Sequence, residues 1–335
     1  MDIILGLLII AIGAFCQSSC YVPINRIKQW SWEAYWLVQG IFAWLILPFL
    51  GAQLAVPAGH SLCELYASDP VKSGWAIFFG ALWGVGGLTF GLSMRYLGVA
   101  LGQSIALGLC AGLGTLLTPL LTGKVGDLTA PVIIGVVVTL LGISIIGYAG
   151  HLKSVHLSDE EKKKSVKEFH FSKGIIAALV AGFMSACFSL GLGMGEGLHF
   201  DNSADMFKTL PATFLVTVGG FATNAVYCLY QNGKNRTFGD YANPSLYVNN
   251  LLFCLLAGAL WYCQFFGLSI GKGFLADSPT LLTFSWCILM ALNVVFSNVW
   301  GILLKEWKNC TTRSIVVLVI GLLVLIVSSF LPQLI

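Results

Sequence analysis

Apolar positions in this chain run in long unbroken stretches, without the alternation of a half-buried strand or the three-to-four spacing of a surface helix. Ten such stretches fall at roughly residues 2–22, 34–56, 74–96, 98–123, 130–150, 174–195, 210–231, 247–271, 279–304 and 314–331. At about 20 residues per crossing, each can pass a hydrocarbon layer as a helix. The connections are short except for 151–173, HLKSVHLSDEEKKKSVKEFHFSK, a strongly charged run that reads as a solvated hinge. The pattern predicts an all-α polytopic membrane protein with ten transmembrane helices. Residues 1–150 form a first five-helix repeat, 151–173 a cytoplasmic hinge loop, and 174–335 a second five-helix repeat.

Composition sharpens this. Of 335 residues 57% are hydrophobic and only 10% charged, with a mean hydropathy of +0.85. A water-soluble enzyme, a disordered chain and a nucleic-acid binder are excluded, because no soluble fold of this size hides so much apolar side chain. Loops after the odd-numbered stretches carry 14 Lys and Arg against 4 on the other side, and 8 against 4 without the hinge. By the positive-inside rule the odd loops are cytoplasmic and both termini face outward. The sequons Asn235-Arg236-Thr237 and Asn309-Cys310-Thr311 then lie inside and read as chance. Met1-Asp2 brings no basic segment before the first apolar run, so no cleaved leader is expected. Eight of the ten cysteines fall in apolar stretches, and Cys63 and Cys310 sit in loops on opposite sides, so no disulfide is expected.

The halves carry faint internal similarity. Gly13-Ala14-Phe15-Cys16 resembles Gly182-Phe183-Met184-Ser185, and Ala81-Leu82-Trp83 resembles Ala259-Leu260-Trp261. An odd number of helices per half turns the second repeat upside down. Inverted repeats are the usual build of secondary transporters, with a substrate site near midplane.

Polar side chains inside apolar helices mark those that face a cavity. The fifth and tenth stretches contain no Asn, Gln, Asp or Glu and read as peripheral. The third carries Gly80, Gly84, Gly87 and Gly91, a stripe best explained by close helix packing. Gln17 and Tyr21, Asn224, Trp261 and Gln264, and Asn293 with Asn298 lie on the remaining helices. A single buried amide is commonly interhelical glue; several converging on core helices point to a polar cavity. Trp83 and Trp261, at repeat-related positions, are expected on opposite walls of it, either as packing residues or as flat indole faces with N–H donors suited to a sugar.

Catalytic constellations are absent from the sequence. All five histidines lie outside the apolar stretches, and no metal-ligand spacing, P-loop or triad is present. No cofactor and no metal is expected. The ionisable residues of interest cluster at the predicted cytoplasmic ends of core helices: Glu33, Arg95, Lys305 and Glu306. Snorkelling anchors are the plain alternative, well suited to Lys305 and less so to Glu33, which sits among Trp30, Trp32 and Trp36.

The strings Lys28-Gln-Trp-Ser-Trp-Glu33, Ser93-Met-Arg-Tyr-Leu-Gly98, Trp261-Tyr-Cys-Gln-Phe-Phe266 and Leu304-Lys-Glu-Trp307 occur in order over nearly the whole chain. Together they resemble the bacterial L-rhamnose–proton symporter family, a ten-helix branch of the drug/metabolite transporter superfamily. The resemblance implies uptake of a small neutral sugar across the bacterial inner membrane, driven by protons. The partners are then the sugar, the proton and the bilayer, with no nucleic acid and no obligatory protein. Where that family commonly has glycines, this chain has Gln39, Ser297 and Asn298, and Gly86-Gly87-Leu88 replaces an Asn-containing stretch. Such departures leave fucose or another deoxyhexose open beside L-rhamnose. Proton coupling needs a carboxylate linked to sugar occupancy, and Glu33 paired with Arg95 as an inner gate is the expectation. The alternatives are an uncoupled facilitator or exporter, and a membrane-embedded enzyme acting on lipid-linked sugars.

Overall fold

Every apolar stretch lies on helix in the computed structural model, and the described residues contain no strand. Those residues are 2–97, 99–155, 170–304, 307 and 310–335, without the side chains of 94, 95, 99–101, 103, 104, 154 and 171. The helices are α1 (Asp2–Ser19), α2 (Tyr21–Ile24), α3 (Trp32–Gly40), α4 (Leu47–Gln53), α5 (Leu62–Ser68), α6 (Pro70–Leu97) and α7 (Val99–Leu121). They continue as α8 (Ala130–Val155), α9 (Phe171–Met194), α10 (Leu210–Asn235), α11 (Tyr247–Phe274), α12 (Pro279–Leu303) and α13 (Thr312–Leu334). Among the described residues, 9 helical spans are long and apolar enough to cross a membrane, α3 and α4 being joined into one of them. In α7 the apolar run is the shorter Ile105–Leu121.

Between α3 and α4 the backbone forms a π-helical segment, Ile41–Ile46. Pro48 follows one residue later, after Leu47, and has no N–H to donate, which accounts for a break in the ordinary ladder at this place. Residues 57–73 read as loop from their polarity, yet they contain α5. There Ser61 accepts a hydrogen bond from the Glu64 N–H at the helix start, and Leu62 and Leu65 pack onto Ala52 with Tyr66 and Phe214 alongside. A helix of two turns with only two buried leucines is too short to stand out in a window tuned to spans.

Packing groups the chain into two compact units. One comprises Met1–Gly84 with Gly191–Ala276, and the other Val85–Leu190 with Asp277–Ile335. The units interleave the two sequence halves, and the chain passes from one to the other within α6 and within α9.

In the first unit, α1 crosses α11 through bare backbone. A Cβ on Gly13 would lie 3.0 Å from the Cys263 carbonyl, and one on Gly271 would lie 2.8 Å from that of Gly6. The helices α6 and α10 meet likewise: a Cβ on Gly84 would lie 2.8 Å from the Gly220 carbonyl, and one on Gly80 would collide with that of Val216. The upper half of the glycine stripe is therefore packing. At Gly87 and Gly91 an added Cβ meets no described atom within 4 Å. Gly80→Val should accordingly destabilise the protein by about 1–3 kcal/mol or more, since a backbone carbonyl has nowhere to go. The melting temperature in detergent reads this directly, with Gly87→Ala nearly silent.

In the second unit, α8 and α13 lie together. Thr139 donates to Ser328 Oγ at 3.0 Å, and a Cβ on Gly321 would come within 3.1 Å of the Ile146 nitrogen. Their opposite faces expose Ile133, Val137 and Leu141, and Val316, Val319 and Leu323, as bilayer-facing surfaces do. On α12, Trp286 donates its indole N–H to the Cys110 carbonyl of α7 at 3.1 Å.

Candidate functional site

The first unit holds a continuous row of tryptophans. Trp32 and Trp36, one turn apart on α3, stack at 5.4 Å between ring centroids. Trp36 meets Trp44 edge-on at 5.6 Å, and Trp44 in turn meets Trp83 and Trp261, each at 5.8 Å. Trp83 and Trp261 lie 5.6 Å apart, tilted by 34°. The expectation of two indoles on opposite walls is thus corrected. Their rings are in contact, leaving no room between them for a sugar, and both rest on Trp44.

Local sequence explains why large rings fit here. Gly220 offers bare backbone against Trp83, and a Cβ on Gly40 would come within 2.7 Å of the Trp44 ring. Trp44 sits on the π-helical segment and is 4% exposed; its indole nitrogen has no hydrogen-bond partner among the described residues. On the same rod Gln39 is 2% exposed, and its amide oxygen also lacks one. A buried polar atom without a partner costs about 1–3 kcal/mol, so these two atoms are held in place at a cost.

Asn224 fastens the row. Its Oδ1 accepts the Trp36 indole N–H at 3.0 Å, while Nδ2 donates to the Gly220 carbonyl at 2.9 Å and that of Gly84 at 3.4 Å. Its amide is occupied by α3, α6 and α10, and it positions Trp36. Asn224→Leu should therefore lower stability by about 1–3 kcal/mol, contrary to what a pure ligand contact would do, because it strands the donor of Trp36. Denaturation of the purified variant beside the wild type measures this. Gln264 is buried on α11 next to Trp261 and donates to the Trp261 carbonyl at 3.1 Å.

Glu33 opens α3 and is 6% exposed. Its Oε1 accepts from Asn235 Nδ2 at 2.9 Å and from Thr237 Oγ1 at 2.8 Å, with Asn232 Oδ1 3.0 Å from the same hydroxyl. Arg236, between the two donors, ends α10 in the left-handed region at φ 59°, and this turns both flanking side chains toward Glu33. A non-glycine residue in that conformation costs roughly 1–2 kcal/mol, offset here by the bonds it permits. The same turn holds the start of α3: Ser31 N–H donates to Asp240 at 2.7 Å, and Tyr241 donates to the Ala34 carbonyl at 3.3 Å. Burial raises the Tyr241 phenol above its ordinary value, keeping it a neutral donor. The triplet 235–237, which read as a chance sequon, supplies the hydrogen bonds to Glu33.

Other residues singled out from the sequence fall elsewhere. Gln17 is half-buried on α1, and Tyr21 is exposed on α2. Asn293 is buried on α12, and Asn298 donates to the Val294 carbonyl at 2.9 Å; both belong to the second unit. Lys305, Glu306 and the side chain of Arg95 lie outside the described residues. Sequence reading missed Trp44, placed Trp36 only as a neighbour of Glu33, and took Asn235 and Thr237 for a chance sequon. Among the described residues no group of three His, Cys, Asp or Glu could hold a metal ion.

A many-helix membrane protein with a buried aromatic row and a hydrogen-bonded carboxylate at a helix start has the makings of a carrier. Residues 1–334 match the family described as L-rhamnose-proton symport protein (RhaT). The L-rhamnose-proton symporters of Yersinia pestis (strain Pestoides F) and Yersinia pseudotuberculosis serotype O:3 (strain YPIII) are each 34% identical to it over 341 residues, covering 98% of this chain and 96% of theirs. The chain belongs to the L-rhamnose-proton symport protein family. It is a multi-pass membrane transporter, and the enzyme alternative falls away.

Proposed function

We propose that the chain takes up L-rhamnose or a closely related deoxyhexose together with a proton, by alternating access. The observation that carries this reading is the tryptophan row of the first unit, flanked by Gln264 and Asn224 and ending near the Glu33 carboxylate. Indole faces suit the C–H side of a 6-deoxy sugar, and the Trp44 indole N–H, which no described residue engages, suits one of its hydroxyls. Trp83, Trp261 and Gln264 belong to the proposed site, with Trp44 added to them and Asn224 holding Trp36 in place beside them; Gln17, Tyr21, Asn293 and Asn298 stay as candidates on other helices. Glu33 is the proposed coupling carboxylate, with Arg95, Lys305 and Glu306 as its candidate gate partners.

The proposal extends to architecture: ten spans in two inverted five-helix repeats, placement in the drug/metabolite transporter superfamily, an inner-membrane location, and both termini in the periplasm. Cysteines engineered within 156–168 should then resist an impermeant thiol reagent in intact cells, and labelling there would reverse the orientation.

Intrinsic fluorescence offers a direct test of the site. L-Rhamnose should change the tryptophan emission of the purified protein saturably, L-fucose less, and D-glucose not at all. No response to any deoxyhexose would overturn the sugar assignment.

A further inference from the structure

The second unit contains a feature that the transport reading does not use. Ile105 and Leu109 on α7, Leu140 and Ile143 on α8 and Leu179 on α9 line a groove of about 570 Å³. From Leu140 to His151 it follows α8 for eleven residues, about 16 Å at 1.5 Å per residue. Its flanks are the exposed apolar faces of Val137 and Leu141 on α8 and of Val180 and Phe183 on α9, so the groove opens onto hydrocarbon. Such a lining has almost nothing to offer a sugar.

The end nearest the C-terminus of α8 differs in character. Tyr148 and His151 both line it, and their rings stack at 6.4 Å. The Arg313 guanidinium, in the first turn of α13, donates to the Tyr148 hydroxyl at 3.4 Å. Lys153 lies two residues beyond His151, its ammonium 4.8 Å from the centre of the Trp307 ring. Neither α8 nor α13 carries a carboxylate. An apolar channel of acyl-chain width thus leads to a terminus with a phenol, an imidazole and a guanidinium, on helices that bear positive charge only.

We propose that this groove binds an anionic membrane phospholipid, with one acyl chain along Leu140–Ser144 and the phosphate against Tyr148, His151 and Arg313. The charge of the mouth selects the headgroup, since basic clusters where helices leave the hydrocarbon attract anionic lipid at about 1 kcal/mol per cation. The apolar channel supplies the rest of the affinity and confines the ligand to the bilayer. Inorganic phosphate, lacking a chain, gains nothing from the channel.

Native mass spectrometry of the detergent-purified protein tests this with phosphatidylglycerol and phosphatidylethanolamine of identical acyl chains. The wild type should retain phosphatidylglycerol about tenfold better, and millimolar phosphate should not displace it. His151→Gln with Arg313→Gln should bring the two lipids level. Ser144→Trp, which fills the channel, should abolish retention of both, and Leu179→Trp serves where the first variant does not fold. Equal retention of the two lipids by the wild type would overturn the proposal, as would undiminished retention by both channel-filling variants. So would displacement by phosphate, or a wild-type protein that retains neither lipid.

Discussion

Glu33→Gln should leave sugar exchange intact and abolish accumulation against a gradient. A proton entering down about 100 mV contributes about 2.3 kcal/mol, and one pH unit adds about 1.4 kcal/mol. Together these support several hundred-fold accumulation at about 1.4 kcal/mol per decade, all of which the variant should lose. Glutamine keeps an oxygen where Asn235 and Thr237 donate, at 2.9 and 2.8 Å, so the turn that holds α3 survives. What disappears is the group able to bind and release a proton while both donors stay neutral. Counterflow of labelled sugar should match the wild type, and uptake driven by a pH gradient should stop at equilibration. A variant that still concentrates sugar would remove Glu33 from the coupling role and leave Glu306, or Glu196 two residues past the end of α9, as the next carboxylate.

Trp44 carries the second large effect, and two substitutions separate its parts. Trp44→Ala removes the ring on which Trp36, Trp83 and Trp261 all rest. Large-to-small changes at a buried tryptophan cost about 3–5 kcal/mol, enough to unfold much of a marginal protein. Trp44→Phe keeps an aromatic ring while removing the indole N–H, which no described residue engages, together with part of the bicycle. Stability should fall far less than in Trp44→Ala, because losing a buried donor without an acceptor offsets part of the lost ring contact. Affinity for L-rhamnose should fall about tenfold, the effect of one lost hydroxyl contact at ~1–3 kcal/mol. Titration of the remaining tryptophan fluorescence alongside thermal melting distinguishes the two, and unchanged affinity in Trp44→Phe would take its N–H out of the site.

Much of the fold was legible because bilayer solvation writes its demands plainly: a span must be long and apolar, and each stretch so marked is helical. The ends were less so. The helix α8 runs on to Val155 and α10 to Asn235, because polar residues continue a helix whose hydrogen bonds are already in place. At the site, Trp83 and Trp261 stood out through their repeat-related positions, and they do meet, though as tilted rings in contact rather than across a space. Trp44 was hidden inside Ile41-Phe-Ala-Trp-Leu-Ile46, a run in which nothing separates it from its apolar neighbours. The π turn that places it adds a residue to the helix period and leaves only Pro48 as a trace. Asn235 and Thr237 were masked by a motif with another meaning, since their spacing matters only once Arg236 turns left-handed. Asn224 and Gln264 were found by being polar in apolar helices, a signal that marks glue and ligand contacts alike.

The central claim, sugar uptake coupled to protons, is tested most directly by transport of radiolabelled L-rhamnose into proteoliposomes of the purified chain, with and without an imposed pH gradient. Accumulation well above the outside concentration under the gradient, collapsing when an uncoupler is added, is the predicted result. Uptake that only equilibrates and ignores both gradient and uncoupler would contradict it and leave a facilitator in its place.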